Sequence, residues 1–411
     1  MDVLFEACAG IDVHQKNVVA CRIYKSVDGK NYVEKRTFRT MTAGLLEMSD
    51  WLAEVNITHV AMESTGDYWK SVYNILEGNF EVWVVNAHHV KNVPGRKTDV
   101  KDAQWLAELM RHGLLRPSFI PNQEQREWRD LTRMRLTLVR ERATFANRLH
   151  KALESANIKL GAVVTDLLGV SSRKILRKLI AEPEASPKTL ADLAIGRLRG
   201  KHDDLTLALE GRMNAHHRFV LEQLLDHIDE LDQRIQTFEE RIAELSAPFK
   251  AAVTLIDTIP AISTTAAHAL ISEIGMDMGQ FPTGAPLASW LGLCPGNNES
   301  GGKRLSGRTR KGNVYARATL VQVAHVASRM AQTQYHALYR RIASRRGKKR
   351  ALIAVAHALV VTIYTLLKTG KEYVEPGPDY LATRNPQREL NALKQRAARL
   401  GLELVPVAQA A

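Results

Sequence analysis

Two acidic residues of this 411-residue chain stand where strand-like sequence ends. Asp12 lies in Gly10-Ile11-Asp12-Val13-His14, and Glu63 lies in Met62-Glu63-Ser64-Thr65-Gly66. Two more acids, Asp99 and Asp102, are three residues apart in a helical pattern and so share a face. A carboxylate among apolar neighbours is costly unless it is paired or bound to a cation. Four converging acids would make a hard, oxygen-rich site for Mg²⁺ or Mn²⁺. Two such ions ~4 Å apart can clamp the attacking and leaving oxygens of a phosphodiester. Taken alone, Asp99 and Asp102 read equally as a helix N-cap and a first-turn acid. The strand-end positions of Asp12 and Glu63 turn the reading towards a metal.

A second stretch could do chemistry of another kind. It runs Gly292-Leu293-Cys294-Pro295-Gly296-Asn297-Asn298-Glu299-Ser300-Gly301-Gly302-Lys303, then through Arg304, Arg308, Arg310, Lys311 and Gly312 into a helix at Val314. The paired glycines let backbone approach a ligand closely. Lys303, Arg304, Arg308, Arg310 and Lys311 supply charge for phosphate. Ser300 is a candidate nucleophile if a base or metal activates it. A lone serine in a glycine-rich loop is more often a turn residue, and chemistry alone leaves that reading open.

Charge points to the partner. Lysine and arginine number 57 against 44 acids, a net charge of +13. From Ser300 to Arg350 there are fourteen Lys or Arg and no Asp or Glu. A stretch of one sign repels itself unless an anion neutralises it, so nucleic acid is the expected partner. Residues 122 to 155 form a long helical pattern dense in arginine, including Arg126, Arg133 and Arg140, which fits the same use. Lys97, with Arg96, Lys91, His88 and His89, lies in the loop before the acidic helix, where these residues could equally touch a phosphate or simply line a polar loop.

These residues need a frame. Short apolar runs at 7–13, 18–24 and 32–38, separated by turns, read as a three-strand meander. Helix, strand, helix, strand and helix then follow to residue 113. A meander feeding βα units makes a mixed sheet with helices on its faces, an order that matches the RNase H-like fold. Tyr68 and Trp69 read as core residues of that domain.

The rest of the chain reads as mostly helical. Residues 156–215 look like an irregular helical insert. Leu221, Leu224, Ile228, Leu231, Ile235, Phe238, Ile242 and Leu245 follow a 3-4 heptad spacing, which predicts a coiled coil over 216–248, either between chains or as a long hairpin, in preference to one long helix packed on its own domain. Residues 249–370 form a second globular unit, and 371–411 a tail. The segment around Ala261 and Ser263 suggests a helix-hairpin-helix lacking its usual turn glycines. The apolar run Ala351–Leu367 falls short of the ~20 residues of a spanning helix and reads as buried, with no membrane expected. Three scattered cysteines suggest a reducing cytoplasm.

Taken together, these stretches resemble the insertion-sequence-110 family of DEDD transposases. The fragments that carry the likeness are those around Asp12 and Glu63, Lys97-Thr98-Asp99-Val100-Lys101-Asp102-Ala103, Leu291-Gly292-Leu293-Cys294-Pro295, Ser300-Gly301-Gly302-Lys303 and Lys311-Gly312-Asn313. The resemblance implies a RuvC-like domain whose four acids, Asp12, Glu63, Asp99 and Asp102, hold Mg²⁺ or Mn²⁺; with its Arg-rich helical extension it is placed over 1–155. It implies a coiled coil for assembly into a dimer or tetramer, and a C-terminal transposase domain whose nucleophile is Ser300. It also implies donor and target DNA as substrates, a bridge RNA as guide, active sites shared between subunits, and a place near the bacterial nucleoid. Two other readings compete: a RuvC-like nuclease that uses only the acids and water, and a non-catalytic nucleic-acid-binding protein.

Overall fold

Alternation with a period of two builds the first sheet. The computed structural model describes residues 2–26, 28–64, 66–86, 90, 102–296, 298–383 and 386–405. Strands β1 (Cys8–Val13), β2 (Asn17–Lys25) and β3 (Asn31–Arg39) form an antiparallel meander. Strands β4 (His59–Glu63) and β5 (Glu81–Val85) join in parallel on the other side of β1, giving the order β3-β2-β1-β4-β5. This mixed five-stranded sheet is the RNase H-like arrangement expected from the element order.

The two faces of the sheet hold different cores. Ala9, Ile11, Val13, Val60 and Met62 face α1 (Thr42–Ala53) and α2 (Trp69–Leu76). Cys8, Cys21, Ile23, Ala61 and Val85 face α3 (Asp102–Arg111), which buries Ala103, Leu106, Ala107 and Met110. Arg22 is the charged exception. It is 6 % exposed, pairs with Glu34 and Glu54, and lies 4.1 Å from the Trp51 ring. Trp69 packs on the first core, whereas Tyr68, expected inside, is 46 % exposed.

The chain divides into Met1–Pro121 and Asn122–Ala411. The second unit begins with α4 (Gln123–Ser155), whose N-cap Asn122 accepts a hydrogen bond from the Gln125 amide at 3.0 Å. The heptad helix is α9 (Ala215–Leu245), and it pairs with α4 of the same chain as a long hairpin. Its seam differs by one position from the strict heptad: Leu225 is fully buried, while Leu224 is only partly so. Residues 156–215, read as irregular, form short helices α5 (Leu160–Val163), α6 (Val170–Ala181), α7 (Pro187–Ala191) and α8 (His202–Ala208). Together with the nearby ends of α4 and α9 they enclose a core of their own, with Leu149, Leu153, Ile175, Leu176 and Leu225 inside.

Six further helices pack around a fourth core. These are α10 (Lys250–Asp257), α11 (Thr264–Ile274), α12 (Gly284–Trp290), α13 (Val314–Ala327), α14 (Gln334–Arg346) and α15 (Lys348–Thr369). The apolar run at Ala351–Leu367 is in α15, where Leu352, Val355, Leu359 and Ile363 are buried in this core. Between α10 and α11 the turn does take the left-handed backbone usually given to glycine: Ala261 has φ 74°.

Candidate nucleic-acid and metal site

Sheet register sets the acids. β1 and β4 are parallel neighbours with Ile11 beside Met62, and Asp12 and Glu63 are the next residues along each strand. Side chains alternate, so Asp12 shares the face of Cys8 and Gly10, and Glu63 shares that of Ala61. That is the face covered by α3, and Asp102 is the first residue of α3. Gly10 makes the close fit there. A Cβ on it would lie 2.2 Å from the Ala103 carbonyl oxygen and 2.4 Å from the Ala107 nitrogen, so the first turns of α3 rest on the backbone of β1.

Asp12, Glu63 and Asp102 are all partly buried, and His14 Nε2 lies 3.1 Å from Asp12 Oδ2. Asp99 and Lys97 lie outside the described residues. Among the described residues, no three His, Cys, Asp or Glu stand close enough together to hold a metal ion. What the fold does provide is three carboxylates on one face at one end of the sheet, a donor chemistry that fits a hard divalent cation.

Ser300 lies in a hairpin rather than in the loop expected of a glycine-rich stretch. Strands β6 (Asn298–Ser300) and β7 (Lys303–Ser306) pair Ser300 with Lys303 across the two residues Gly301 and Gly302. Their φ values are 56° and 73°, the positive pair required by a type I′ turn. The pairing slips by one residue between Asn298 and Glu299, a bulge of the kind that re-aims a strand end. Pairing resumes towards the base with a bridge between Pro295 and Thr309 and a 2.8 Å bond from the Gly296 amide to the Arg308 carbonyl. The base is pinched. A Cβ on Gly312 would fall 2.3 Å from the Gly292 nitrogen, and Gly292 itself has φ 70°. Lys303, Arg308, Arg310 and Lys311 are all exposed along this hairpin. Arg304 lies in β7.

The arginines of α4 divide. Arg140 is exposed and Arg126 partly buried. Arg135 bonds Glu239 and Arg142 bonds Asp232, both on α9, so part of the arginine stripe holds the hairpin together. Arg133, expected on the nucleic-acid side, is instead turned inward. Its Nε and Nη2 bond the two Glu273 oxygens at 2.7 and 2.9 Å, and its guanidinium lies 4.5 Å from the Tyr315 ring.

Glu273 carries no signal in the sequence, because its partners are far along the chain. It is 1 % exposed. Besides Arg133 it accepts a 2.6 Å bond from Asn313 Nδ2, and Arg129 Nε lies 3.4 Å away. Burial pushes the Arg129 guanidinium down to about 10, and its Nη2 donates to the Glu273 carbonyl at 2.7 Å. Gln125 and Thr132 add bonds to Ser272, so one face of α4 at 125, 129, 132 and 133 is bolted to the end of α11.

Comparison with known proteins covers both halves of the chain. Residues 9–158 match a transposase family model designated DEDD_Tnp_IS110, and residues 253–340 match one described as the transposase IS116/IS110/IS902 family. The first match contains the four acids and the second contains the hairpin of Ser300. A probable family 20 transposase of Pseudomonas aeruginosa is 24% identical over 339 residues, which span 80% of this chain and 90% of that protein. The transposase for insertion sequence element IS1111A of Coxiella burnetii is 26% identical over 332 residues, 78% of this chain and 81% of that protein. A putative transposase of Sinorhizobium fredii is 25% identical over 359 residues, 84% of this chain and 81% of that protein.

Proposed function

Since the chain belongs to the IS110 family of transposases, we propose that it cuts and rejoins DNA strands through a serine–phosphate ester, with Ser300 as nucleophile and Asp12, Glu63, Asp99 and Asp102 as ligands of a divalent metal. The observation that carries this reading is the position of Ser300. It is the last strand residue before a tight glycine turn, on a hairpin whose exposed side chains include four cations. A hydroxyl group there can be presented to a phosphate that the cations hold.

The serine oxygen forms a bond to phosphorus while a phosphorus–oxygen bond to deoxyribose breaks. The serine proton is lost, and the departing sugar oxygen takes up a proton to become a hydroxyl. The hydroxyl end of the exchanged strand then attacks the ester, restores the diester and returns the proton to serine. One bond is exchanged for another at each step, so no external energy source is needed. A metal ion held by the acids would supply positive charge to the phosphate under attack. Lys303, Arg304, Arg308, Arg310 and Lys311, with Arg126 and Arg140, hold backbone phosphates without reading bases. A bridge RNA would choose the sequence by base pairing. The acids and the serine of one active site come from different subunits of a dimer or tetramer.

Mixing two inactive proteins tests this. Ser300→Ala and Asp102→Asn variants are each expected to lack strand exchange. When mixed and allowed to reassemble they are expected to recover a measurable fraction of it, because some sites combine an intact serine with intact acids. A mixture that stays inactive, while each variant still binds DNA, would place the acids and serine in one subunit.

A further inference from the structure

We propose that Glu273 and Asn313 are positioning residues that set the direction of the hairpin carrying Ser300; the functional part of this rests on Ser300 being the nucleophile. The hairpin from Gly292 to Gly312 has only two short strands, β6 and β7. Ser300 stands eight positions beyond Gly292, at the last residue of β6. A small tilt at the base is carried to the tip. Misplacing a reacting group by ~1 Å can cost ~100-fold in rate. The base therefore needs a fixed anchor.

Asn313 supplies it. It directly follows the pinched glycine, and its amide nitrogen is 3.3 Å from the Trp290 carbonyl oxygen. Its side-chain oxygen accepts from the Tyr315 and Ala316 amides, both at 3.1 Å, and so starts α13. Its side-chain nitrogen is then left to donate, and it donates to buried Glu273 at 2.6 Å. A neutral acceptor could fill that role less firmly, since bonds to a charged group are about twice as strong. Glu273 in turn is locked by a two-pronged bond from Arg133 and by Arg129. The chain of contacts runs from α4 through Glu273 and Asn313 to the hairpin base, with both oxygens of the carboxylate engaged.

Reversing the polarity of the central bond tests the proposal. Asn313→Asp keeps the acceptor that caps α13 but sets a carboxylate against Glu273. Adding Glu273→Gln restores a donor–acceptor pair in the opposite sense. Two readouts are followed in the full-length protein: amide hydrogen exchange across residues 293–312, and formation of a covalent adduct with DNA. Asn313→Asp is expected to speed exchange in the hairpin at least tenfold relative to α15. It is expected to slow adduct formation 10- to 100-fold while DNA affinity changes less than threefold. The double variant is expected to recover part of both, because Glu273→Gln also places a donor beside Arg133 Nη2. Wild-type exchange and adduct rates in Asn313→Asp would overturn the anchor. So would faster exchange in Asn313→Asp that is as large in α15 as in the hairpin. If the wild-type adduct survives Ser300→Ala, the nucleophile assignment fails, and the exchange measurement still decides the anchor.

Discussion

Gly10 and Ala103 are in contact through their backbones: a Cβ on Gly10 would lie 2.2 Å from the Ala103 carbonyl oxygen. This closeness keeps the start of α3, and with it Asp102, against the strand that carries Asp12. Gly10→Ala would push α3 away from β1. Overpacking of this sort costs about 1–3 kcal/mol. We expect a lower urea midpoint together with loss of strand exchange. A variant as stable and active as wild type would show that the helix does not fix the acids.

Ala261 holds a left-handed backbone that costs an L-residue roughly 1–2 kcal/mol. Glycine removes that strain but loses more chain entropy on folding, worth roughly 0.5–1 kcal/mol. Ala261→Gly should therefore stabilise the protein by up to ~1 kcal/mol. Ala261→Val should destabilise it, because a β-branched residue fits this region poorly. Equilibrium unfolding of the two variants checks the sign. Opposite shifts are expected, and a destabilising glycine would refute the strain.

The arginines separate by salt dependence. Arg308 is exposed and has no carboxylate partner among the described residues, so Arg308→Ala should weaken DNA binding and lower the log–log salt slope by about 1. Arg135 is tied to Glu239, so Arg135→Ala should leave the slope unchanged and cost under ~1 kcal/mol of stability. Equal slopes for both variants would mean that the hairpin cations do not meet phosphate.

Much of this was legible in the sequence, and the parts that were not have a common cause. Strand alternation is local, so β1, β4 and the acids ending them could be read from their neighbours. The heptad shows a seam but not the helix that fills it. Only the fold reveals that α4 supplies the partner and that Leu225, rather than Leu224, goes inside. The Gly301-Gly302 pair is a hairpin signal in its own right, yet the flanking residues are too polar to alternate as strands do. Glu273 meets Arg133 across 140 residues, a pairing that no local pattern encodes.

Two thiols report on the first domain. Burial pushes Cys8 up to about 12 and Cys21 up to about 11. Folded protein at pH 8 should resist alkylation at both, while the partly buried Cys294 reacts faster. Below pH ~8 folded and unfolded chains alike keep most of these protons. Above it the unfolded chain releases protons that the folded chain retains, so stability should fall as pH rises from about 8 towards 11. Replacing both cysteines with alanine should remove that part of the slope in a pH series of urea midpoints.

The most direct measurement is a denaturing gel that traps protein joined to DNA. Purified protein, RNA transcribed from the element, Mg²⁺ and labelled junction DNA are combined, and wild type is compared with Ser300→Ala and Asp102→Asn. A covalent adduct in wild type that is absent from both variants is the predicted result. Cleavage without an adduct, retained in Ser300→Ala, would contradict it and identify water as the nucleophile.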